Sequence, residues 1–498
     1  MNATPSRSTS DVNHARRWII LIIVGIAQLM VVLDATIVNI ALPSAQSDLG
    51  FDDDNRQWVV SAYALTFGSL LLLGGRIGDL FGRKQVFVVG LIGFAVASAI
   101  GGLAGSFGVL VFARALQGAF GALLAPAALA ILSVTFTDPA ERGKAFGIYG
   151  AIAGVGAGIG LLLGGVLTDV LSWRWCLYVN LLFALPTAIW AAGVIRAHHR
   201  DRTAGEQRLG IDLPGALTAT IGLFALVYGV SNAERNGWGD PVTVAALVIA
   251  PLVLIAFVLI ERRTAQPLLP LRVVLDPARG GSFVAIAVFG IVLFGVFLFL
   301  TYFLQQNLAY SPTRAGLAFM PMNLAIMVVS GFTATMLLPK LGPRLLVVVG
   351  LLLAAAGSAY FALQVDGDAG YVDGVLPGLL VIGVGGGLLF PTTFSTATLG
   401  VEERDTGVAS AMLNTAQQVG GSIGIALLST FFASAVSGYA EDHPGPGVAV
   451  DAVLNGYTTI FWWAAGLTFL GAVVVALLVR TGKDDLAAHE APVGMGAH

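Results

Sequence analysis

The chain has 498 residues, of which 56% are hydrophobic and only 11% charged, and its mean hydropathy is +0.85. A soluble fold of this length needs roughly a quarter of its residues charged to cover its surface, so the composition selects a bilayer as solvent. The net charge of −3 offers no basic surface for nucleic acid, and the single cysteine, Cys176, excludes an intrachain disulfide or a cysteine metal cluster. All six histidines fall outside the long apolar runs, which argues against a buried histidine metal site.

A membrane-crossing helix needs about 20 mostly apolar residues. Such stretches occur at 18–40, 57–76, 85–105, 108–134, 144–167, 176–196, 213–233, 241–261, 281–306, 313–338, 345–365, 372–400, 406–436 and 457–480. The first follows a basic start (Arg7, Arg16, Arg17) and is too long for a signal-peptide core, so it reads as a retained span. The seventh and eighth are separated only by the polar run 232–240. Fourteen spans with both termini in the cytoplasm place nearly all of the 26 Lys and Arg residues inside. Arg56, Arg174, Arg235 and Arg314 fall outside, and Arg114 falls within a span. That asymmetry is the positive-inside pattern.

Two longer polar connections, 196–210 and 261–280, divide the spans into six, two and six. The expected organisation is a tail over 1–17, a six-helix bundle over 18–200 and a loop with two linker helices over 201–262. A second six-helix bundle follows over 263–480, then a tail over 481–498. Paired six-helix bundles are a common transporter plan, with the site near the midplane between them.

Span 1 carries Asp34 and span 4 carries Arg114. A charge inside the membrane costs about 2.5–3.5 kcal/mol on insertion scales and marks a pathway by default. At 1.5 Å per residue, both side chains lie about 9–10 Å below the outer surface, so one polar cavity can hold both. The functional reading makes Asp34 a proton or cation site, with the permanently charged Arg114 favouring its ionised form when close. The structural alternative is a static ion pair. Arg114 opens the string RALQGAFGALLAP, in which Gln117 and Gly118 follow at helical spacing on the same face. Between spans 2 and 3, GGRIGDLFGRK (74–84) reads as a tight cytoplasmic turn shaped by Gly75, Gly78 and Gly82, with Asp79, Arg83 and Lys84 supplying charge. Span 5 has two glycine faces, Gly150, Gly154 and Gly158 on one, and Gly156, Gly160 and Gly164 on the other, with Gly165 adjacent. Faces of this kind let a helix touch neighbours on both sides.

These motifs, in this order, resemble the major facilitator superfamily, and within it the 14-span drug:proton antiporters of the EmrB/QacA type. The resemblance rests on GGRIGDLFGRK, on LDATIVNIALP (33–43), on the Arg114 string and on SWRW (172–175). YFLQQNLAYSPTRAGLAFMP (302–321) and ASAMLNTAQQVGGSIG (409–424) extend it into the second bundle. It implies an all-α membrane fold of two six-helix bundles plus two central helices, working by alternating access on the proton gradient, with no cofactor. Asp34 and Asn39 fall in the family's span-1 motif, and Arg114, Gln117 and Gly118 in its span-4 motif. Asp79 would latch the outward-open state against the start of span 13 near Thr406 and Gly407. The sequence departs from the family in span 5, where Leu161 stands at the usual proline, and in span 10, which holds no acid.

With Asp34 as the only buried acid, neutral or monocationic lipophilic drugs are the expected substrates. Polar candidates for the second-bundle side of the cavity are Gln305, Gln306, Asn323, Asn414, Gln417 and Gln418, with Phe294, Phe297, Phe299, Phe390 and Phe394 as apolar contacts. A dedicated exporter of one endogenous metabolite or antibiotic is the first alternative, and a non-transporting membrane receptor or scaffold the second. Nothing in the spans supplies a nucleophile–histidine set, so an enzyme is not expected. The arginine-rich, Ala/Gly/Val-rich composition suggests a bacterial inner-membrane protein that works as a monomer.

Overall fold

The computed structural model describes residues 9–52, 55–136, 139–195, 212–264, 267–365, 370–399, 401, 406–445 and 447–479. Among these residues there are no strands. The first helices are α1 (Thr9–Leu49), α2 (Gln57–Phe81), α3 (Arg83–Gly102), α4 (Phe107–Thr135), α5 (Pro139–Val170) and α6 (Trp175–Val194). An antiparallel pair follows, α7 (Leu213–Asn236) and α8 (Pro241–Arg263), then the short α9 (Leu271–Val274). The remainder comprises α10 (Pro277–Tyr302), α11 (Pro312–Ala318), α12 (Met320–Phe332), α13 (Leu338–Leu341), α14 (Pro343–Gln364), α15 (Leu376–Thr398), α16 (Thr406–Asp442) and α17 (Val448–Leu478). Three π-helical turns, Phe303–Asn307, Thr333–Leu337 and Tyr371–Val375, continue or open these helices.

Every apolar stretch predicted from the sequence is mainly helical over its described residues, with a break at Phe319 and non-helical residues at the ends of some stretches. Twelve described helical segments are long and apolar enough to cross a membrane. The helices α2 and α5, of 25 and 32 residues, lie outside those twelve. Helix starts follow a repeated local rule. Asp240, Asp276 and Ser311 each precede a proline and accept hydrogen bonds from the first backbone N–H groups of α8, α10 and α11. The side-chain oxygen satisfies a donor that the helix cannot, and proline fills a position whose N–H is not needed.

One pairing scheme is used twice. In the first six helices α1 packs on α5, α2 on α4, and α3 on both α4 and α6. In the last set α10 packs on α16, α12 on α15, and α14 on both α15 and α17. The sets meet crosswise, α2 on α16 and α5 on α11 and α12, and α7 lies against α2 and α16. Helix α8 packs chiefly on α7 and exposes Val248, Leu252, Ile255 and Leu259, an apolar face suited to lipid.

Three sequence expectations need correction. The run 74–84 is not a loop: α2 continues through Phe81, so Gly75 and Gly78 are helical. Gly82 alone makes the turn, at φ 95°, a conformation in which a Cβ is strained. Asp34 is not the only buried acid, since Asp212 and Glu261 are also buried. Arg56, assigned to an outer loop, is buried as well. A helix can outrun its apolar stretch, and long-range packing can cover a charge near a span end, so neither outcome follows from hydropathy.

Candidate functional site

Asp34 and Arg114 meet in the core of the first six helices at 0% and 1% exposure. Arg114 Nη1 donates to Asp34 Oδ2 at 2.6 Å and to Gln117 Oε1 at 2.9 Å, while its Nε donates to the Val59 carbonyl at 3.1 Å. Gln117 Nε2 donates to Asp34 Oδ1 at 2.8 Å and to Ser98 Oγ at 2.7 Å. Asn180 Nδ2 donates to Asp34 Oδ1 at 2.6 Å. The Tyr63 ring lies 4.5 Å from the guanidinium carbon. Five helices therefore contribute: α1 supplies the acid, α4 the arginine and glutamine, α2 a carbonyl and an aromatic face, α3 a hydroxyl and α6 an amide.

The placement follows from helix geometry. Residues 114 and 117 are three apart, so they share one face of α4. A buried charge is stable only when paired and hydrogen-bonded, and here Asp34 receives three donors. Gln117 reaches Asp34 and Ser98 at once, which ties α1, α3 and α4 through a single amide. Asp34 gives no hydrogen bond of its own in this arrangement.

The other predicted residues do different things. Asn39, one helical turn from Asp34's neighbour Ala35, donates to the Ala35 carbonyl at 3.1 Å and stays outside the network. Gln305 sits in the π-turn after α10 and donates to the Ile40 carbonyl at 3.0 Å, joining the two helix sets, whereas Gln306 is exposed. Asn323 and Asn414 each donate to the backbone one turn earlier in their own helices. Gln418 lies against Gly68 of α2, and the Gln417 carbonyl lies against Gly290 of α10. Phe299 is fully buried, Phe297 is edge-on to Phe319, Phe390 is edge-on to Phe289, and Phe394 is exposed.

Around the Gly82 turn, Arg83 donates to the Ala130 carbonyl of α4 at 3.3 Å, and Lys84 donates to the Ala192 carbonyl of α6 at 2.6 Å. Both side chains thus tie the start of α3 to the neighbouring helices α4 and α6. The side chains of Asp79, Thr406 and Gly407, and the surroundings of Gly150 and Gly154, lie outside the described residues. On α5, Gly156, Gly160 and Gly164 face α1: a Cβ on Gly160 would lie 3.0 Å from the Leu33 carbonyl, and one on Gly164 2.7 Å from that of Ile37. Gly158 and Gly165 face the other set, against Asn323 and the Pro312 carbonyl. Leu161 is buried there, and α5 contains no proline after its first residue.

The sets also touch at the end where α1 finishes. Tyr302 Oη donates to Gln46 at 2.6 Å, and the Thr313 N–H donates to Asp169 at 2.9 Å. Arg56 lies over the Tyr302 ring at 4.1 Å, with Phe299 and Phe432 within 5.6 Å of its guanidinium carbon. Asn180, Ser98 and Arg56 were not singled out from the sequence. Asn180 had a signal, a lone amide in the apolar run of α6. Ser98 had none, because a serine in a membrane helix usually bonds its own backbone.

The family model of the Major Facilitator Superfamily matches residues 24–425. The chain is 50% identical over 474 residues to the puromycin resistance protein pur8 of Streptomyces alboniger, covering 94% of this chain and 93% of the relative. It is 41% identical over 419 residues to the cephamycin export protein CmcT of Amycolatopsis lactamdurans, covering 84% and 85%. Among solved structures, a bacterial homolog of the human lysosomal transporter Spinster, in an inward-facing and unoccupied conformation, matches with a TM-score of 0.65. That match covers 96% of this chain and 99% of that one at 16% identity, a likeness of fold.

Proposed function

The chain belongs to the major facilitator superfamily, and on that premise we propose how it works as a drug efflux transporter: it exchanges lipophilic, neutral or monocationic drugs or antibiotics for protons. Relatives of high identity and coverage are antibiotic resistance and export proteins, which supports this substrate class. The observation that carries the coupling is the threefold donation to Asp34 from Arg114, Gln117 and Asn180.

The proposed cycle couples a proton to helix packing. Protonated Asp34 needs fewer donors, so Arg114 is freed to move with α4. Because Arg114 also holds the Val59 carbonyl and faces Tyr63, its departure loosens α2. Helix α2 packs on α16, so the change reaches the contact between the two helix sets. Loss of the proton restores the full donor set and reverses the motion. Arg114 and Gln117 act by setting how readily Asp34 holds its proton, and Asn180 joins them in that role.

We read the end where α1 finishes as external, both termini as cytoplasmic and the span count as fourteen, with α2 and α5 as the two that complete it. Support comes from the positive-inside distribution of Lys and Arg and from the packing of α2 and α5 between the two sets. In this reading the contacts of Gln46, Arg56, Tyr302 and Gln305 close the external side, and the protein resides in a bacterial inner membrane as a functional monomer. A dedicated exporter of one antibiotic is the same mechanism with a narrower substrate range.

The test is Asp34→Asn in proteoliposomes. Substrate-dependent proton movement should be abolished while the protein still reaches the membrane and unfolds cooperatively. Proton-coupled transport at the wild-type rate in this variant would remove Asp34 from the mechanism.

A further inference from the structure

A second pair of buried acids lies far from Asp34 in the chain, at the foot of the α7–α8 hairpin. Asp212 precedes α7 and Glu261 lies in the last turn of α8, at 4% and 3% exposure. One oxygen of each is used: Asp212 Oδ1 accepts from the Gly215 N–H at 2.8 Å, and Glu261 Oε2 accepts from the Leu269 N–H at 3.1 Å. The other oxygens, Asp212 Oδ2 and Glu261 Oε1, are buried without a hydrogen-bond partner. They face each other across Gly215. A Cβ there would meet Glu261 Oε1 at 2.7 Å and Asp212 Oδ2 more closely still.

Among the described residues, no ion pair joins a cation to Asp212 or Glu261. The facing residues of α16 (Val408, Ala411, Met412), Leu73 of α2 and the segment Leu268–Leu269 are apolar. Arg262 and Arg263 on α8 are exposed. Two carboxylates this close and this buried cannot both stay ionised without a counter-charge. One shared proton satisfies both orphan oxygens, one as donor and one as acceptor.

We propose that Asp212 and Glu261 form a second proton-binding site, holding one proton between Asp212 Oδ2 and Glu261 Oε1, and that its loss to water loosens the hairpin foot from the α2–α16 seam. The foot spans that seam. Ala216, Ala219 and Phe257 pack with Leu73 of α2 and with Val408, Ala411 and Met412 of α16, and Thr220 Oγ1 donates to the Ser69 carbonyl of α2 at 3.0 Å. Protonated, the pair has one negative charge and a hydrogen bond, and the foot docks as seen. Deprotonated, two buried carboxylates repel and draw in water, which separates α7 from α8 just where they clamp the two helix sets together. Raising the pH therefore undocks the foot.

The test uses full-length protein in lipid nanodiscs without added metal. Infrared difference spectra between mildly acidic and alkaline pH should show a carboxylic-acid carbonyl band that Glu261→Gln and Asp212→Asn each remove. The amide introduced by Glu261→Gln can donate to Asp212 at any pH, and the amide oxygen retained in Asp212→Asn keeps the cap on Gly215, so both variants should fold. Spin labels at Leu217→Cys and Phe81→Cys, in a Cys176→Ala background, should move apart as pH rises in the otherwise unmodified protein. They should stay close at every pH with Glu261→Gln. Both signals should survive Asp34→Asn, so failure here is distinct from failure of the Asp34 mechanism. A band untouched by both substitutions, or a label distance with the same pH dependence in Glu261→Gln, overturns the proposal. So does a carboxyl pair whose only response is to added metal ions.

Discussion

The two six-helix sets repeat one pairing scheme and fill it with different chemistry. In the first, the contact of α1 with α4 and α6 holds a buried acid, a buried arginine and two amides. In the second, α10 carries no charge in its buried interior, where Phe289, Phe297, Phe299 and Phe303 pack instead. Both sets bring a corresponding helix pair together over glycine, Gly160 and Gly164 for α1–α5, and Gly290 and Gly420 for α10–α16. Close packing is thus the shared feature, and buried charge belongs to one side. In the proposed mechanism, the half with the buried pair responds to the proton and works against the apolar half.

The sharpest way to break that asymmetry is Arg114→Leu. Removing one partner of a buried pair leaves the other charged and unpaired, at a cost of about 3–5 kcal/mol. The variant should melt well below the wild type in detergent and lose proton-coupled transport. Arg114→Leu combined with Asp34→Asn removes both charges, so it should recover much of the lost stability with no recovery of transport. A double variant as unstable as Arg114→Leu alone would show that the arginine acts through packing and through its bond to the Val59 carbonyl, independently of Asp34.

The sequence made part of this network legible and hid the rest for identifiable reasons. Equal depth from the same membrane face located Asp34 opposite Arg114, and i, i+3 spacing added Gln117. The spans were readable because each needs a long apolar run. What remained hidden depends on tertiary contact. Arg56 looked like a loop cation until α10 and α16 covered it with Tyr302, Phe299 and Phe432. Asp212 and Glu261 sit beside basic segments of the sequence, where an acid draws no notice, and only folding brings them face to face. The 74–84 motif misled because glycines suggest a turn, whereas in α2 Gly74 admits close approach of the Ala122 carbonyl of α4.

The shared feature predicts equal and smaller effects on the two sides. Gly160→Val pushes a side chain into the Leu33 carbonyl of α1, and Gly420→Val pushes one into the Ala287 backbone of α10. Overpacking of this kind costs about 1–3 kcal/mol. Both variants should lower the thermal midpoint by similar amounts. A large loss from Gly160→Val with none from Gly420→Val would mean that the two sets do not depend on helix contact alike, and that the repeated pairing is only a likeness of shape.

The smallest expected effect concerns how the two sides meet. Arg56 projects from the start of α2 into an aromatic cage of the second set, 4.1 Å from the Tyr302 centroid. A partly desolvated cation over aromatic faces contributes about 0.5–2 kcal/mol. That contact exists only while the ends near Leu49 and Tyr302 are together, so its loss must favour the state in which they part. Arg56→Gln should therefore raise the population open at that end by about 2- to 30-fold, since each 1.4 kcal/mol is tenfold, with little change in the unfolding temperature. Distances between spin labels at Asp52→Cys and Leu317→Cys, again with Cys176→Ala, report that population directly. An Arg56→Lys variant separates charge from shape, because lysine keeps the cation and loses the planar stacking. If Arg56→Gln leaves the distance distribution unchanged, the cage belongs to the fold in both states, and the contacts of Gln46, Asp169 and Gln305 carry the closure.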